Sequence, residues 1–265
     1  MEADRSPSSI SAQDLRARLG TAAAPIVVDV RRAAPFDADD TMIAGSIRRA
    51  PEDVIRWARE LSQAKQVVVC CVHGHDVSQG AAAALRDAGL DVRYLEHGIA
   101  GWAELGLPRR RKIGAMPGRW VTRERPKVDR IACPWLIRRF IDPEAEILYA
   151  PADRVLAIAE ETGGIPFDVP DVEFGHDGER CSFDAFLRRF ELEGADPALD
   201  RLALIVRGAD TGRLELTPQS PGLLAIAQGL SATHPDDHEM LASGMVLYDA
   251  LYAWCRRQGG ATPQA

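Results

Sequence analysis

Three groups of residues in this chain of 265 have the types and spacing to do chemistry. The first centres on Cys71, which ends the β-branched run from Gln66 and is followed by Val72, His73, Gly74, His75, Asp76, Val77 and Ser78. A cysteine that closes a buried strand and leads through a glycine-containing turn into a helix stands where backbone N–H groups and the positive helix end converge. Such a setting favours the nucleophilic thiolate and can cradle an anion or a persulfide. A histidine in the turn, such as His73, could deprotonate the thiol or donate to a bound anion. The alternative is that Cys71 is a small apolar residue of the strand. Cys70, its neighbour, points to the opposite face and reads as core.

The second group is a possible second thiol, Cys133, placed just before Pro134 at an expected helix start. A helix dipole there would make it more acidic, unless it simply packs beside Trp135. The third is a pair of histidines with acidic neighbours: His176 beside Glu173 and Asp177, and His238 beside Asp237. His238 falls on the stripe Leu241, Met245, Tyr248, Tyr252 and Cys255, which places it on the buried face of the last helix. His176 and His238 are expected to converge on one polar pocket. With carboxylates they could bind Zn²⁺, Fe²⁺ or Mn²⁺, although no dense ligand signature is present and a buried histidine can equally be a satisfied core residue.

The elements that must position these residues follow from periodicity and caps. Ser11 caps a helix over 12–19, strands fall at 26–30, 66–71 and 92–95, and Ser78 caps a helix over 79–88 that ends at Gly89. A short helix surrounds Gly101 and Trp102. Strands alternating with helices imply a mostly parallel sheet covered on both faces. The basic stretch 109–118 has no periodicity and reads as a solvated linker. Beyond it the chain reads as mainly helical, with helices over 134–141, 153–161, 182–190, 197–207, 221–228 and 235–257. The expected division is therefore residues 1–108, a linker over 109–118, and a second, mainly helical α+β domain over 119–265.

The segments Ile26–Arg31, Met42–Ser46, Cys71–Gly74 and Gly98–Trp102 stand in the order and spacing of a single-domain rhodanese, which the chain resembles over about residues 8–108. The resemblance implies an α/β fold and a sulfurtransferase that needs no cofactor. Cys71 would carry sulfane sulfur as a persulfide between a sulfane-sulfur donor and a thiol acceptor, residues 72–78 would bind the substrate, and Asp29 and Arg31 would support the loop. Two departures stand out. Many rhodaneses carry a cation in this loop, whereas His73, His75 and Asp76 stand here, so thiosulfate should be a poor donor. The loop is also about one residue longer, as if to admit a larger oxyanion like that of the related cysteine phosphatases, but Val77 stands near where those carry an arginine.

The segments Asp129–Asp142, Glu173–Asp177, Arg180–Phe183, Arg207–Asp210 and Asp237–Glu239 resemble the C-terminal domain of ChrB-type chromate-resistance proteins over about residues 118–257. That implies a part in chromate resistance or its regulation, with chromate or another oxyanion as a candidate ligand. Three functions stay open: a sulfurtransferase, a non-catalytic sensor of chromate or redox stress, and a metal-dependent redox or detoxifying enzyme in the C-terminal half. The net charge of -7 argues against a nucleic-acid partner, whose backbone needs a basic surface. No apolar run is long enough to span a bilayer, and the five cysteines, odd in number, do not form a secreted disulfide pattern. These features point to a cytoplasmic protein without a membrane partner.

Overall fold

A computed structural model of the chain describes residues 8–61, 66–114 and 118–258. The chain divides into two compact units, 1–112 with 139–143, and 113–138 with 144–265.

The first unit is built on a five-stranded parallel sheet of order β1-β6-β5-β2-β4, formed by β1 (Ser9–Ile10), β2 (Ile26–Asp29), β4 (Ser46–Arg48), β5 (Val67–Cys70) and β6 (Val92–Leu95). Consecutive side chains of β2 and β5 enter opposite cores. Val28, Val67, Val69 and Cys71 pack with Trp57 and Leu85 on one face, while Val27, Val68 and Cys70 pack with Leu15 and Trp102 on the other. A sheet buried on both faces explains why these strands are continuous β-branched runs. Helices α1 (Ala12–Arg18), α2 (Ala33–Asp37), α3 (Val54–Trp57), α4 (Asp76–Asp87) and α5 (Gly98–Glu104) connect the strands. Ser11 caps α1 as expected, its Oγ accepting from Asp14 N at 3.1 Å.

The stretch expected to be a solvated linker is not one throughout. Arg109–Arg111 forms strand β7, antiparallel to β3 (Thr41–Ile43), and residues 115–117 lie outside the described residues. Arg110 is buried, which pulls its guanidinium down to about 10. The Lys112 ammonium sits 3.9 Å from the centroid of the Phe36 ring. Alternation along so short a strand, with arginine at every position, leaves no apolar pattern to read.

The second unit pairs a three-stranded parallel sheet, β10-β8-β9, with helices. Its strands are β8 (Arg119–Arg123), β9 (Glu146–Ala150) and β10 (Ile165–Pro166). Its helices are α6 (Val128–Leu136), α7 (Val155–Thr162), α8 (Ser182–Arg189), α9 (Pro197–Asp210), α10 (Ser220–Thr233) and α11 (Asp237–Gln258). Helix α9 packs against α6, α8, α10 and α11. Phe174 stacks on Phe186 at 4.4 Å between centroids, and Trp120 of β8 closes on the same cluster. Among the described residues, no helix is long and apolar enough to cross a membrane.

Helix α6 begins six residues before Pro134, not at it, so proline lies inside the helix. Pro134 has no N–H for the Arg130 carbonyl four residues back, and the Tyr149 hydroxyl donates to that oxygen instead, at 3.4 Å. The helix continues as the π-helical turn Ile137–Ile141.

Candidate functional site

In the first unit, Cys71 leaves β5 and enters a turn that ends where α4 begins at Asp76, three residues earlier than the sequence suggests. Ser78 is therefore inside the first turn of α4 and is not its cap. Its Oγ is turned inward, 3.1 Å from Cys71 Sγ, and donates to the His75 carbonyl at 3.2 Å. The carbonyls that could crowd the turn are drawn off by α5, since Ile99 N donates to Cys71 O and Ala100 N to Val72 O, each at 2.9 Å. Among the described residues the amides of Val72 to Val77 make no backbone hydrogen bond, so the turn leaves donors free beside the cysteine. Gly74 N passes so near Gly98 that a Cβ at residue 98 would stand 2.6 Å from it.

This turn borders a cleft of about 260 Å³ lined by Arg31, Arg32, Pro35, Cys71, Val72, His73, His75, Asp76 and Val77. Cys71 is buried, while His73 and His75 are exposed at the rim, their rings 6.1 Å apart. Asp29 and Arg31, expected to support the loop, form a buried ion pair at 2.7 Å one strand away from Cys70. Arg31 also donates to Asp39 Oδ2 at 2.7 Å and to Thr41 O at 2.9 Å, so its fork ties down the segment that walls the cleft. Burial raises the Asp39 carboxyl, but hydrogen bonds from Thr41 and the Arg31 charge outweigh it and hold the group below its ordinary value. Arg32 is exposed and lines the same cleft, and its guanidinium has no hydrogen bond or ion pair within the described structure. It lies outside the segment 71–78, where a loop cation is expected from the sequence.

In the second unit the expected convergence of His176 and His238 is not observed. His238 is exposed in the first turn of α11 and lies edge-on to the Tyr149 ring at 5.4 Å. Of the apolar stripe Leu241, Tyr248, Tyr252 and Cys255 are buried and Met245 is half-buried, and His238 lies one turn before the first of them. Asp237 accepts from the Arg125 amide, Asp177 from Arg188, and Glu173 from Arg189. None of these carboxylates belongs to the cluster around His176.

That cluster comprises other residues. His176 Nε2 lies 3.1 Å from Asp210 Oδ2, 3.4 Å from Asp168 Oδ1 and 3.7 Å from Asp129 Oδ2. Hydrogen bonds that His176 donates to Asp168 and Asp210 raise the imidazole to about 10 in this ion-pair arrangement. Burial, with Asp210 and Asp168 alongside, pushes the Asp129 carboxyl well up. Cys133 is not at a helix start and gains no acidity from the dipole; burial and the nearby Asp129 push its thiol well up. The residues missed from sequence are Asp129, Asp168 and Asp210. Their signal was present as acidic residues in apolar company, Asp129 after Val128 and before Ile131, and Asp168 between Phe167 and Val169.

Comparison with known proteins matches the profile of the rhodanese-like domain to residues 11–105 and that of the ChrB C-terminal domain to residues 120–255. Protein ChrB of Cupriavidus metallidurans is 35% identical over 156 residues, which is 59% of this chain and 45% of that protein. The chain thus spans less than half the length of this curated relative. Among solved structures, a full-length protein from Lactobacillus plantarum is 27% identical with a TM-score of 0.37, covering 40% of this chain and 88% of that one. A rhodanese-related protein from Thermoplasma volcanium is 29% identical with a TM-score of 0.33, covering 38% of this chain and 95% of that one. The chain therefore belongs to the ChrB C-terminal domain family and carries a rhodanese-like domain ahead of that domain.

Proposed function

We propose that the chain is a sulfurtransferase that carries sulfane sulfur on Cys71, serving an oxyanion or oxidative stress response through its ChrB-type domain. The observation that carries this reading is that Cys71 lines a cleft beside a turn whose amides are unengaged among the described residues, with Arg32 on the cleft wall. The Cys71 thiolate attacks the outer sulfur of the donor. A new S–S bond forms at Cys71 while the donor's S–S bond breaks, its electron pair leaving with the inner group as sulfite or thiolate. An acceptor thiolate then takes the outer sulfur and the Cys71 thiolate is restored. The Ser78 hydroxyl, 3.1 Å away, can donate to either sulfur anion by turning from the His75 carbonyl. All five cysteines are free, and a reducing, cytoplasmic setting would keep Cys71 in that state.

Arg32 supplies from the cleft wall the charge that the loop itself lacks. Thiosulfate binding should therefore depend on it, and because Arg32 is exposed the effect is discounted to about 1 kcal/mol, roughly fivefold, and should fade with salt. The test is mass spectrometry after incubation with a sulfane donor, where the Cys71 peptide should gain one sulfur, about 32 Da. Cys71→Ser should abolish transfer, and Arg32→Ala should weaken use of thiosulfate more than use of a less charged persulfide donor. Transfer by the Cys71→Ser protein would refute the reading and leave the alternative of a non-catalytic sensor.

A further inference from the structure

We propose that Asp129, Asp168 and His176, with Asp210 beside them, form a binding site for a divalent metal ion of the oxygen-preferring class represented by Mn²⁺. Four separate elements deliver these side chains to one point. Asp129 is the second residue of α6, Asp168 follows β10, His176 stands in the turn after Gly175, and Asp210 is the last residue of α9.

The spacing is close to that of a coordination shell. One oxygen each from Asp129 and Asp168 and one nitrogen of His176 all lie within 4.8 Å of one another. Donors bonded at about 2.1–2.2 Å to one ion stand roughly 3.0–3.6 Å apart when adjacent in octahedral or tetrahedral geometry. His176 Nε2 meets its three carboxylates at 3.1, 3.4 and 3.7 Å.

A second, independent observation comes from Asp129 itself. It is 1% exposed, and its Oδ1 has no hydrogen-bond partner. Its Oδ2 accepts a long bond from the Phe183 amide, at 3.3 Å, and faces the imidazole, and the Cys181 side chain also hydrogen-bonds the carboxylate. A buried carboxylate oxygen left without a donor is costly, and the one Nε2–H of a protonated His176 cannot serve three carboxylates at once. A divalent cation can.

The shell is also held in place from behind. Asp168 Oδ2 is paired with Arg123 at 2.9 Å and Arg130 at 3.3 Å, and its Oδ1 accepts from Ser182 at 3.0 Å. Asp210 Oδ1 accepts from the Asp129 amide at 3.3 Å. Partners of this kind orient metal ligands. His176 is 45% exposed, so the site opens to solvent on its imidazole side and leaves positions for water. Carboxylates with a single imidazole and no thiolate in the grouping suit Mn²⁺ better than a thiolate-seeking ion.

The test uses the full chain, stripped with a chelator, desalted and titrated with Mn²⁺. Aquated Mn²⁺ is followed by its electron paramagnetic resonance signal, which is lost on binding. One Mn²⁺ should bind per chain. Asp129→Asn should weaken binding at least tenfold, and so should His176→Gln, whose half-exposed position spares the fold if Asp129→Asn does not. Glu173→Gln and Asp177→Asn, carboxylates of the same turn that pair with arginines, should bind as the parent does. Mn²⁺ should also raise the thermal midpoint of the parent but not of the folded His176→Gln protein. No stoichiometric uptake, or uptake unchanged in folded His176→Gln, would overturn the proposal and identify the cluster as a closed ion-pair network.

Discussion

Replacing Gly98 by alanine tests how the cysteine turn is held. Gly98 opens α5 at φ +58, and an ideal Cβ there would stand 2.3 Å from Cys71 O, 2.6 Å from Val72 O and 2.6 Å from Gly74 N. The left-handed conformation alone costs an L-residue about 1–2 kcal/mol. All three obstructing atoms are backbone, so no side chain can rotate away and the turn itself must retreat by most of an ångström. Overpacking of that kind adds roughly 1–3 kcal/mol, giving about 2–5 kcal/mol in total. The bonds from Ile99 N to Cys71 O and from Ala100 N to Val72 O would stretch with it. Urea denaturation followed through the first unit's transition should show a lowered midpoint. Sulfur transfer under folding conditions should fall by one to two orders of magnitude, since about 1 Å of misplacement at a reacting centre can cost ~100-fold. Gly80→Ala is the control: this glycine lies inside α4 with nothing within 4 Å of the added Cβ, and alanine should stabilise by about 0.8–1 kcal/mol. A Gly98→Ala protein with the parent's midpoint and transfer rate would refute the account of the turn.

Two further outcomes are expected. Burial pushes the thiols of Cys70, Cys133 and Cys181 well up and that of Cys255 to about 11, so alkylation of the native protein near neutral pH, mapped by mass spectrometry, should mark Cys71 alone. Equal labelling of Cys133 or Cys181 would contradict their placement. The buried Tyr252 hydroxyl donates at 2.6 Å to Asp196 Oδ2, while Asp196 Oδ1 caps α9 through Ala198 N, so Tyr252→Phe should cost about 1.5–3 kcal/mol. An unchanged thermal midpoint would show that this bond does not tie α11 to α9.

Elements with a strong local pattern were legible in the sequence. The β-branched strands around Val28 and Val68 and the Ser11 cap appear within a residue or two of their expected places, because each depends on neighbours close in the chain. The cysteine turn was legible for the same reason: Cys71 through Ser78 is one contiguous segment. Arg32 was not, because its place at the cleft follows from the path of the chain after β2 and not from its own neighbours. The His176 cluster draws on residues 129, 168, 176 and 210, and no periodicity links positions so far apart. His238 misled because a heptad-like stripe says which face is buried but not where along the helix burial begins. Cys133 misled through Pro134, a residue that usually opens a helix and here sits within one.

The pairing of the first unit's outermost strands bears on how the protein is made. Ser9 of β1 bonds Glu96 just beyond β6, 87 residues on, and Thr41 of β3 meets Arg109 of β7, 68 residues on. At ~5–20 residues per second, a ribosome needs on the order of 10 s after β1 emerges to deliver its partner. Through that interval β1 has no strand beside it, and Met42 and Ile43 of β3, which emerge later, go through a somewhat shorter wait for the basic strand that pairs with them. Contacts this distant also slow the search itself. The nascent chain therefore passes through a period when apolar strand edges are open, and a chaperone that shields them until residue 111 has emerged should raise the yield of folded protein more than one acting on the finished chain.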